Sequence, residues 1–415
     1  MNRKRALVIR AVLAAVLAAP LGAWPVEARQ QQPGQPATGA KPSPRSVRGF
    51  VFEDANGNGA RDAGERGVPG ARVSDQYGVV SVAAEGGYQI VAAEAAGVVY
   101  VTAPEGWAVR GIFWRPLGSE AAQQHDFPLH RVNESSEFTF VHASDTHLSP
   151  ASLPRMAKLR AAVEKTKPAF VIITGDLVRD ALRVGEAEAR GYYDLLAAEL
   201  KKFNVPVWTV PGNHEIFGIE RHLSLVSPQH PLYGKKMYRH YLGPNYYSFN
   251  FGGVHFVGVD SVDVADLWYH GHVDAAQMEW LARDLAAVPA GTPVVTFNHI
   301  PFMSAMEGLR GYTDEEPAPT LIRTSGATHF RHVVSNTTDV LATIRKNHRL
   351  EIALGGHFHT RETLNYESQG ARLRFYQTAA VVGPNEYKGI SMTSGITLYR
   401  VRNGKVDDGT FIPLD

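Results

Sequence analysis

The chain has 415 residues, 44% of them hydrophobic and 20% charged, with a formal net charge of +1. That length predicts two folded units plus tails, and the composition is ordinary for globular domains. The even charge balance argues against a nucleic-acid binder or a polybasic membrane-surface protein. The absence of cysteine excludes disulfides and lipid attachment through an N-terminal thiol.

Residues 1–28 read as a secretory signal peptide. Arg3, Lys4, Arg5 and Arg10 make a basic start, Ala11–Ala23 is an apolar run, and Val26-Glu27-Ala28 ends on small residues. The run is too short for a stable membrane span. Its removal takes away four basic residues and one acidic residue, turning +1 into −2. The mature protein is therefore expected in the periplasm or the medium, without a membrane span. Residues 29–46 (RQQQPGQPATGAKPSPRS) have almost nothing to bury and predict a flexible linker.

From Val47 to 132 short β-like runs are broken by Gly, Asn and Asp clusters, predicting a small all-β sandwich module. Its strands are expected at Val47–Glu53, Ala71–Ser74, Val79–Ala83, Tyr88–Ala92 and Val98–Thr102. Within it, Asp54, Asn56, Asn58, Asp62 and Glu65 follow the spacing D-x-[DN]-x-[DN]-G-x5-E, which suits a calcium loop. The flanks read as strands rather than helices, so this is not a helix–loop–helix hand. The alternative is an Asx- and Gly-rich turn without metal.

Residues 133–415 alternate strands and helices, predicting a layered α/β domain. Helices are expected at Leu153–Lys165, Gly185–Phe203, after Asp274 and at Thr338–Lys346. Asp274 and Gln277 are expected to form a capping box. Five apolar strands run into chemistry-bearing residues. Phe138–Ser144 leads to Asp145 and His147, Phe170–Thr174 to Asp176, and Val207–Val210 to Asn213 and His214. Val294–Phe297 leads to His299, and Ile352–Leu354 to His357 and His359. Sites gather at the carboxyl ends of strands in α/β sheets. Imidazole, carboxylate and amide donors suit two divalent ions held close together, with Asp176 able to bridge them. Gly175, Gly212, Gly355 and Gly356 would let the backbone turn sharply at these points.

The motifs SDTH, GD, GNHE, NH and GGHFH, in this order, resemble those of the calcineurin-like metallophosphoesterase superfamily, over most of residues 137–360. The resemblance implies a four-layer αββα sandwich with a bimetal site at its edge. It assigns Asp145, His147 and His359 to one metal, Asn213, His299 and His357 to the other, and Asp176 to both. It also implies phosphate-ester hydrolysis by metal-activated hydroxide, with His214 as general acid to the leaving oxygen or as a stabiliser of the phosphoryl oxygens; the alternative is that His214 only caps a turn. Mn, Fe, Zn, Co and Ni all suit such ligands.

Departures narrow the branch. The ferric-iron tyrosine of purple acid phosphatases is replaced by Arg179, and GDLVRD lacks the protein-phosphatase pattern. Only 56 residues follow His359, too few for the substrate domain of secreted 5′-nucleotidases. This points to a phosphodiesterase, with a phosphomonoesterase or nucleotide-sugar diphosphatase as alternatives. A surface binding protein with an inactive scaffold is the non-enzyme alternative; the filled ligand positions argue against it. The N-terminal module resembles β-sandwich repeats of bacterial surface proteins and modules attached to some bacterial metallophosphoesterases.

The lips of the cleft are expected in 215–272 and 301–335. They hold His222, His230, His240, Trp268, Tyr269, His270, His272, Arg323, His329, Arg331 and His332. His142 reads as a satisfied core histidine. Arg179, Asp180 and Asp260 read as surface salt-bridge or helix-cap groups.

Overall fold

The Phe170–Thr174 strand is apolar along its length because both its faces are covered, as expected for a buried parallel strand. Successive side chains point to opposite faces. Phe170 and Ile172 join one core cluster, while Val171 and Ile173 join another. The computed structural model describes residues 44–306, 321–324, 326–368, 371–387 and 390–415. The expected signal peptide, most of the expected linker and residues 307–320 of the second lip lie outside them. Ser43–Asp415 forms one compact unit.

Two six-stranded sheets carry the phosphoesterase region. The first runs Val207–Val210, Phe170–Thr174, Glu137–Ala143, Gly395–Arg402 and Lys405–Val406, with Thr410–Pro413 also paired to Gly395–Arg402. Its first three strands are mutually parallel. The second runs Tyr247–Phe251, Val254–Gly258, Pro293–Phe297, Arg349–Gly355, Ala371–Gln377 and Glu362–Ser368. Its central four are parallel. The chain after His359 thus closes both sheets.

Aromatic rings join the sheets. Phe170 of the first stands 5.2 Å from Phe256 and 5.4 Å from Phe249 of the second, and Trp208 stacks on Phe249 at 4.1 Å. On the far side of the first sheet, Leu159 and Val163 of Leu153–Thr166 and Tyr193 and Leu196 of Glu186–Leu200 pack with Val171 and Ile173. Trp280 and Leu281 of Ala275–Ala286, and Val340 and Ile344 of Thr337–Arg345, pack with the second sheet's Val294 and Leu350. Asp274 caps its helix, accepting from the Gln277 N–H at 2.8 Å. The expected reciprocal half of the box is absent: the Gln277 side chain bonds instead to the N–H and carbonyl of Asp260, because burial gives it nearer backbone partners.

The module has two sheets around one apolar core. The first strand starts at Arg45, inside the segment expected as linker. Four further strands, at Trp107–Val109, Trp114–Pro116, Ala122–Gln124 and Phe127–Arg131, were not anticipated; three of them have only three residues, too few for a clear alternation. The module packs directly on the phosphoesterase region. Gln76 donates to Asn245 Oδ1 and the Tyr246 carbonyl, Tyr246 donates back to the Gln76 carbonyl at 2.6 Å, and Phe113 inserts between Trp208 and Tyr247.

Candidate metal centre

Each of the five motif strands is parallel to a neighbour, so their carboxyl ends open on one side, as the sequence pattern requires. The loops that follow are sewn together by backbone hydrogen bonds. Asp145 N–H donates to Gly175 O, His147 N–H to Asp176 O, and Gly356 N–H to His299 O, all at 2.9–3.1 Å. Asp145, His147, Asp176, His357 and His359 all have positive φ, between 39° and 77°. Left-handed backbone costs a non-glycine residue about 1–3 kcal/mol, and such strain collects at functional sites. Gly175 shares that conformation (φ 78°). Gly212 and Gly356 are needed for space: a Cβ would lie 2.2 Å from Asp176 Oδ1 and 1.9 Å from Ser144 Oγ, respectively. Gly355 meets neither demand, since its φ is not positive and a Cβ would meet Pro301 at 3.1 Å.

The expected ligand residues converge in two overlapping groups. Asp145, His147, Asp176 and His359 form one, and Asp176, His299 and His357 the other, so Asp176 belongs to both. In the first, His147 Nε2 faces His359 Nε2 at 3.0 Å, and His359 Nε2 lies 3.3 Å from Asp145 Oδ1. In the second, His299 Nε2 lies 3.2 Å from Asp176 Oδ1, 3.1 Å from Asn213 Oδ1 and 3.1 Å from His357 Nδ1. Ring nitrogens and carboxylate oxygens thus crowd together within hydrogen-bonding distance of one another. Asp145 Oδ1 is buried and, beyond the ion-pair contact with His359, has no hydrogen-bond partner, which leaves a buried oxygen under-satisfied. A nitrogen and oxygen donor set with such an oxygen fits two divalent cations.

The protein's own charges respond to this crowding. Burial opposes ionisation of Asp176, yet the His299 and His214 imidazoles hold its pKa well below the usual range. Burial likewise pulls His299 down, but Asp176 outweighs it and lifts His299 to about 9. His147, deeply buried, is held down to about 4.

His214 follows Asn213 in a single 3-10 turn, Asn213–Glu215. Its backbone N–H donates to Asp176 Oδ1 at 3.0 Å, and Nδ1 lies 2.6 Å from the Arg179 carbonyl. A carbonyl only accepts, so Nδ1 carries the proton and Nε2 is left toward the cluster, 3.8 Å from Asp176 Oδ2.

Two contacts were missed from sequence. Glu215 ties the turn down, accepting from Gly212 N–H at 2.6 Å and Val178 N–H at 2.9 Å. Burial and the nearby Asp176 carboxylate push its pKa up to about 8. Its place three residues after Gly212 was the available signal. His332 Nδ1 lies 2.7 Å from His357 Nε2 with the rings stacked; this contact arises from a loop crossing, and no local pattern marks it.

Other expectations resolve individually. Tyr269 stands 6.0 Å from His357, and Arg331 lies over Tyr269 and Trp268. His270 stacks on His329, and His272 meets His329 edge-on beside Asp263, none of the three belonging to the two convergent groups. His230 pairs with Glu186, His240 packs on Tyr241, and His222 and Arg323 are exposed. His142 is buried and bonds through Nε2 to Thr174 Oγ1, while its Nδ1 has no hydrogen-bond partner. Asp180 pairs with Arg183 and accepts from its backbone N–H within a turn, and caps no helix. Asp260 is not at the surface: it is buried in an ion pair with Lys235 at 2.6 Å. The role of Arg179 is its backbone carbonyl rather than its exposed side chain.

The expected calcium loop is closed on itself. Asp54 accepts from the N–H groups of Gly57 and Gly59 and pairs with Arg110 at 2.9 Å. Asn56 and Asn58 both donate to Asp62 Oδ2, and Glu65 accepts from the Ala55 and Asp62 N–H groups.

A sequence model of the calcineurin-like phosphoesterase family matches residues 138–361. The chain belongs to that family, a class that uses a dinuclear divalent metal centre. It is 22% identical over 201 residues to a probable cyclic nucleotide phosphodiesterase of Fibrobacter succinogenes; the match covers 48% of this chain and 61% of that relative, less than two thirds of its length. Similar solved structures include a dimetal phosphatase from Danio rerio (TM-score 0.42, 14% identity, 67% of this chain and 99% of the other). Another is GAP50, the anchor in the inner membrane complex of Plasmodium (TM-score 0.39, 11% identity, 67% and 85%).

Proposed function

We propose that the chain is an exported phosphodiesterase whose two metals are held by Asp145, His147 and His359 on one side and Asn213, His299 and His357 on the other, with Asp176 shared. The observation that carries this reading is the convergence of six of these residues in two groups sharing Asp176, with Asn213 Oδ1 3.1 Å from His299, from five strand ends and with five of the seven on strained backbone. The helices packed on the two sheets are consistent with a four-layer αββα sandwich. Divalent ions bound here supply Lewis-acid activation of water and of the phosphoryl oxygens.

The chain's own part is orientation and proton delivery. Asp176 sets the cluster's centre, and the Thr174 carbonyl, 2.8 Å from His299 Nδ1, fixes that ring so that Nε2 faces inward. His214, locked through Nδ1, offers only Nε2 to a leaving oxygen, and it does so as a general acid when that nitrogen carries a proton. The name of the Fibrobacter relative favours a diester substrate. The test is hydrolysis by the metal-reconstituted protein of bis-p-nitrophenyl phosphate against p-nitrophenyl phosphate. Preference for the diester is expected; a strong preference for the monoester would replace the reading with a phosphomonoesterase. Export is read from the leader alone, and periplasmic or extracellular recovery of the full chain tests it.

A further inference from the structure

Among the described residues, one cation beside the metal centre, Arg331, forms no ion pair with a carboxylate. Arg331 is half-buried, with its guanidinium carbon 4.4 Å from the Tyr269 ring centre and 5.2 Å from that of Trp268. Its Nε is buried without a hydrogen-bond partner, and no carboxylate pairs with it among the described residues. Two aromatic faces hold the guanidinium in one orientation and strip part of its water. Although Arg331 also hydrogen-bonds the Tyr269 side chain, its Nε is unpaired, and a partly desolvated, planar guanidinium of this kind is suited to phosphate because its fork matches two oxygens at once.

Its position relative to the metal centre is fixed from two directions. Tyr269 stands between Arg331 and the ring of His357, 6.0 Å from the latter. Burial pushes the Tyr269 phenol up, Arg331 pulls it down and the Asp176 carboxylate raises it again, so this one ring is within electrostatic reach of both. The next residue along the chain, His332, stacks on His357 with its Nδ1 2.7 Å from His357 Nε2. Arg331 is thus tethered beside a metal-ligand candidate.

We propose that Arg331, clamped by Trp268 and Tyr269, is a subsite for a second phosphate of the substrate, so that the substrate class is a diphosphate-linked ester. It builds on the hydrolytic reading above for the reacting phosphate, but the subsite is a binding property that can be measured separately. Trp268, 42% exposed, remains accessible to solvent beside this subsite.

The test is calorimetric titration of the manganese-loaded chain with inorganic phosphate and with pyrophosphate, for wild type, R331K and R331M. Wild type should prefer pyrophosphate. R331M, which keeps an apolar stem between the rings, should lower the pyrophosphate-to-phosphate affinity ratio about 10- to 100-fold, the worth of a charge-assisted bond. R331K should retain part of the preference. Equal weakening of both anions, or an unmoved ratio, would overturn the subsite. If R331M melts early or loses metal, R331K alone decides: its ratio must fall below that of wild type. Failure of wild type to hydrolyse bis-p-nitrophenyl phosphate would sink the hydrolytic reading while leaving a ratio that depends on Arg331 intact.

Discussion

At His214 one atom is free for chemistry: Nδ1 is committed to the Arg179 carbonyl and the backbone N–H to Asp176. Removing the ring leaves those metal-ligand candidates in place. His214→Ala should therefore keep its metal content yet lose about 10²- to 10⁴-fold in kcat on esters with poor leaving groups, the usual worth of a general acid. Esters of p-nitrophenol, which leave without protonation, should be affected far less. Equal losses on both classes would remove the acid role. Gly356 makes a different demand. Its missing Cβ is the space occupied by Ser144 Oγ at 1.9 Å and Asp145 Oδ2 at 2.9 Å. Gly356→Ala must push Asp145 and the His357 backbone apart, and should lower metal occupancy measured by elemental analysis while the fold, followed by circular dichroism, persists. Full occupancy in that variant would show that the close approach is incidental.

Elements differ in how much of themselves they reveal to a reader of the sequence. Long apolar strands covered on both faces, such as Phe170–Thr174 and Pro293–Phe297, announce themselves, and the residues just past them carry the site. The hairpin Val262–Ala265/Trp268–Gly271 lies within a segment expected only as a lip of the cleft, and Asp263, His270 and Trp268 break the apolar alternation that would mark its strands. Yet it is this hairpin that presents Tyr269 and Trp268. Likewise Gln277 looked like half of a capping box, and only tertiary structure supplies the Asp260 backbone it prefers. The Asp54–Glu65 loop is legible as a motif but not as a state. As it stands, Arg110 neutralises Asp54 and the two asparagine amides cover Asp62. We expect calcium to displace Arg110, whose side chain is 41% exposed and free to swing away. Saturating calcium should then raise the melting temperature and chelator should reverse the gain, with Asp62→Ala abolishing both. A melting temperature indifferent to calcium would leave the loop an Asx-rich turn.

On the scale of the whole molecule, the module and the phosphoesterase region share a buried charge. Arg72 of the module strand Arg72–Ser74 lies 3.6 Å from Asp284 of the Ala275–Ala286 helix and donates to the Ala287 carbonyl at 3.0 Å. Asp284 also bonds His255 Nε2 at 2.8 Å and Ser248 Oγ at 2.9 Å. All four side chains are buried. Burial opposes the charge on Asp284, but His255, Arg72 and Ser248 together hold its pKa below the ordinary 3.8. A carboxyl depressed in the folded state stabilises the fold fully above its unfolded value and loses that contribution as pH falls through the folded value. Asp284→Asn leaves Arg72 buried against a neutral partner and should cost about 3–5 kcal/mol at neutral pH, the penalty for breaking a buried pair. Urea denaturation of both proteins at about pH 7 and about pH 3 checks the sign, because the gap between them should shrink once the unfolded wild-type carboxyl takes up its proton below its ordinary 3.8. A gap that is constant across that range would mean that Asp284 acts through packing rather than charge. If the gap closes as expected, the module is held to the phosphoesterase region by an ion pair within a continuous core, and cutting the chain near residue 132 would expose that core rather than release an independent catalytic domain.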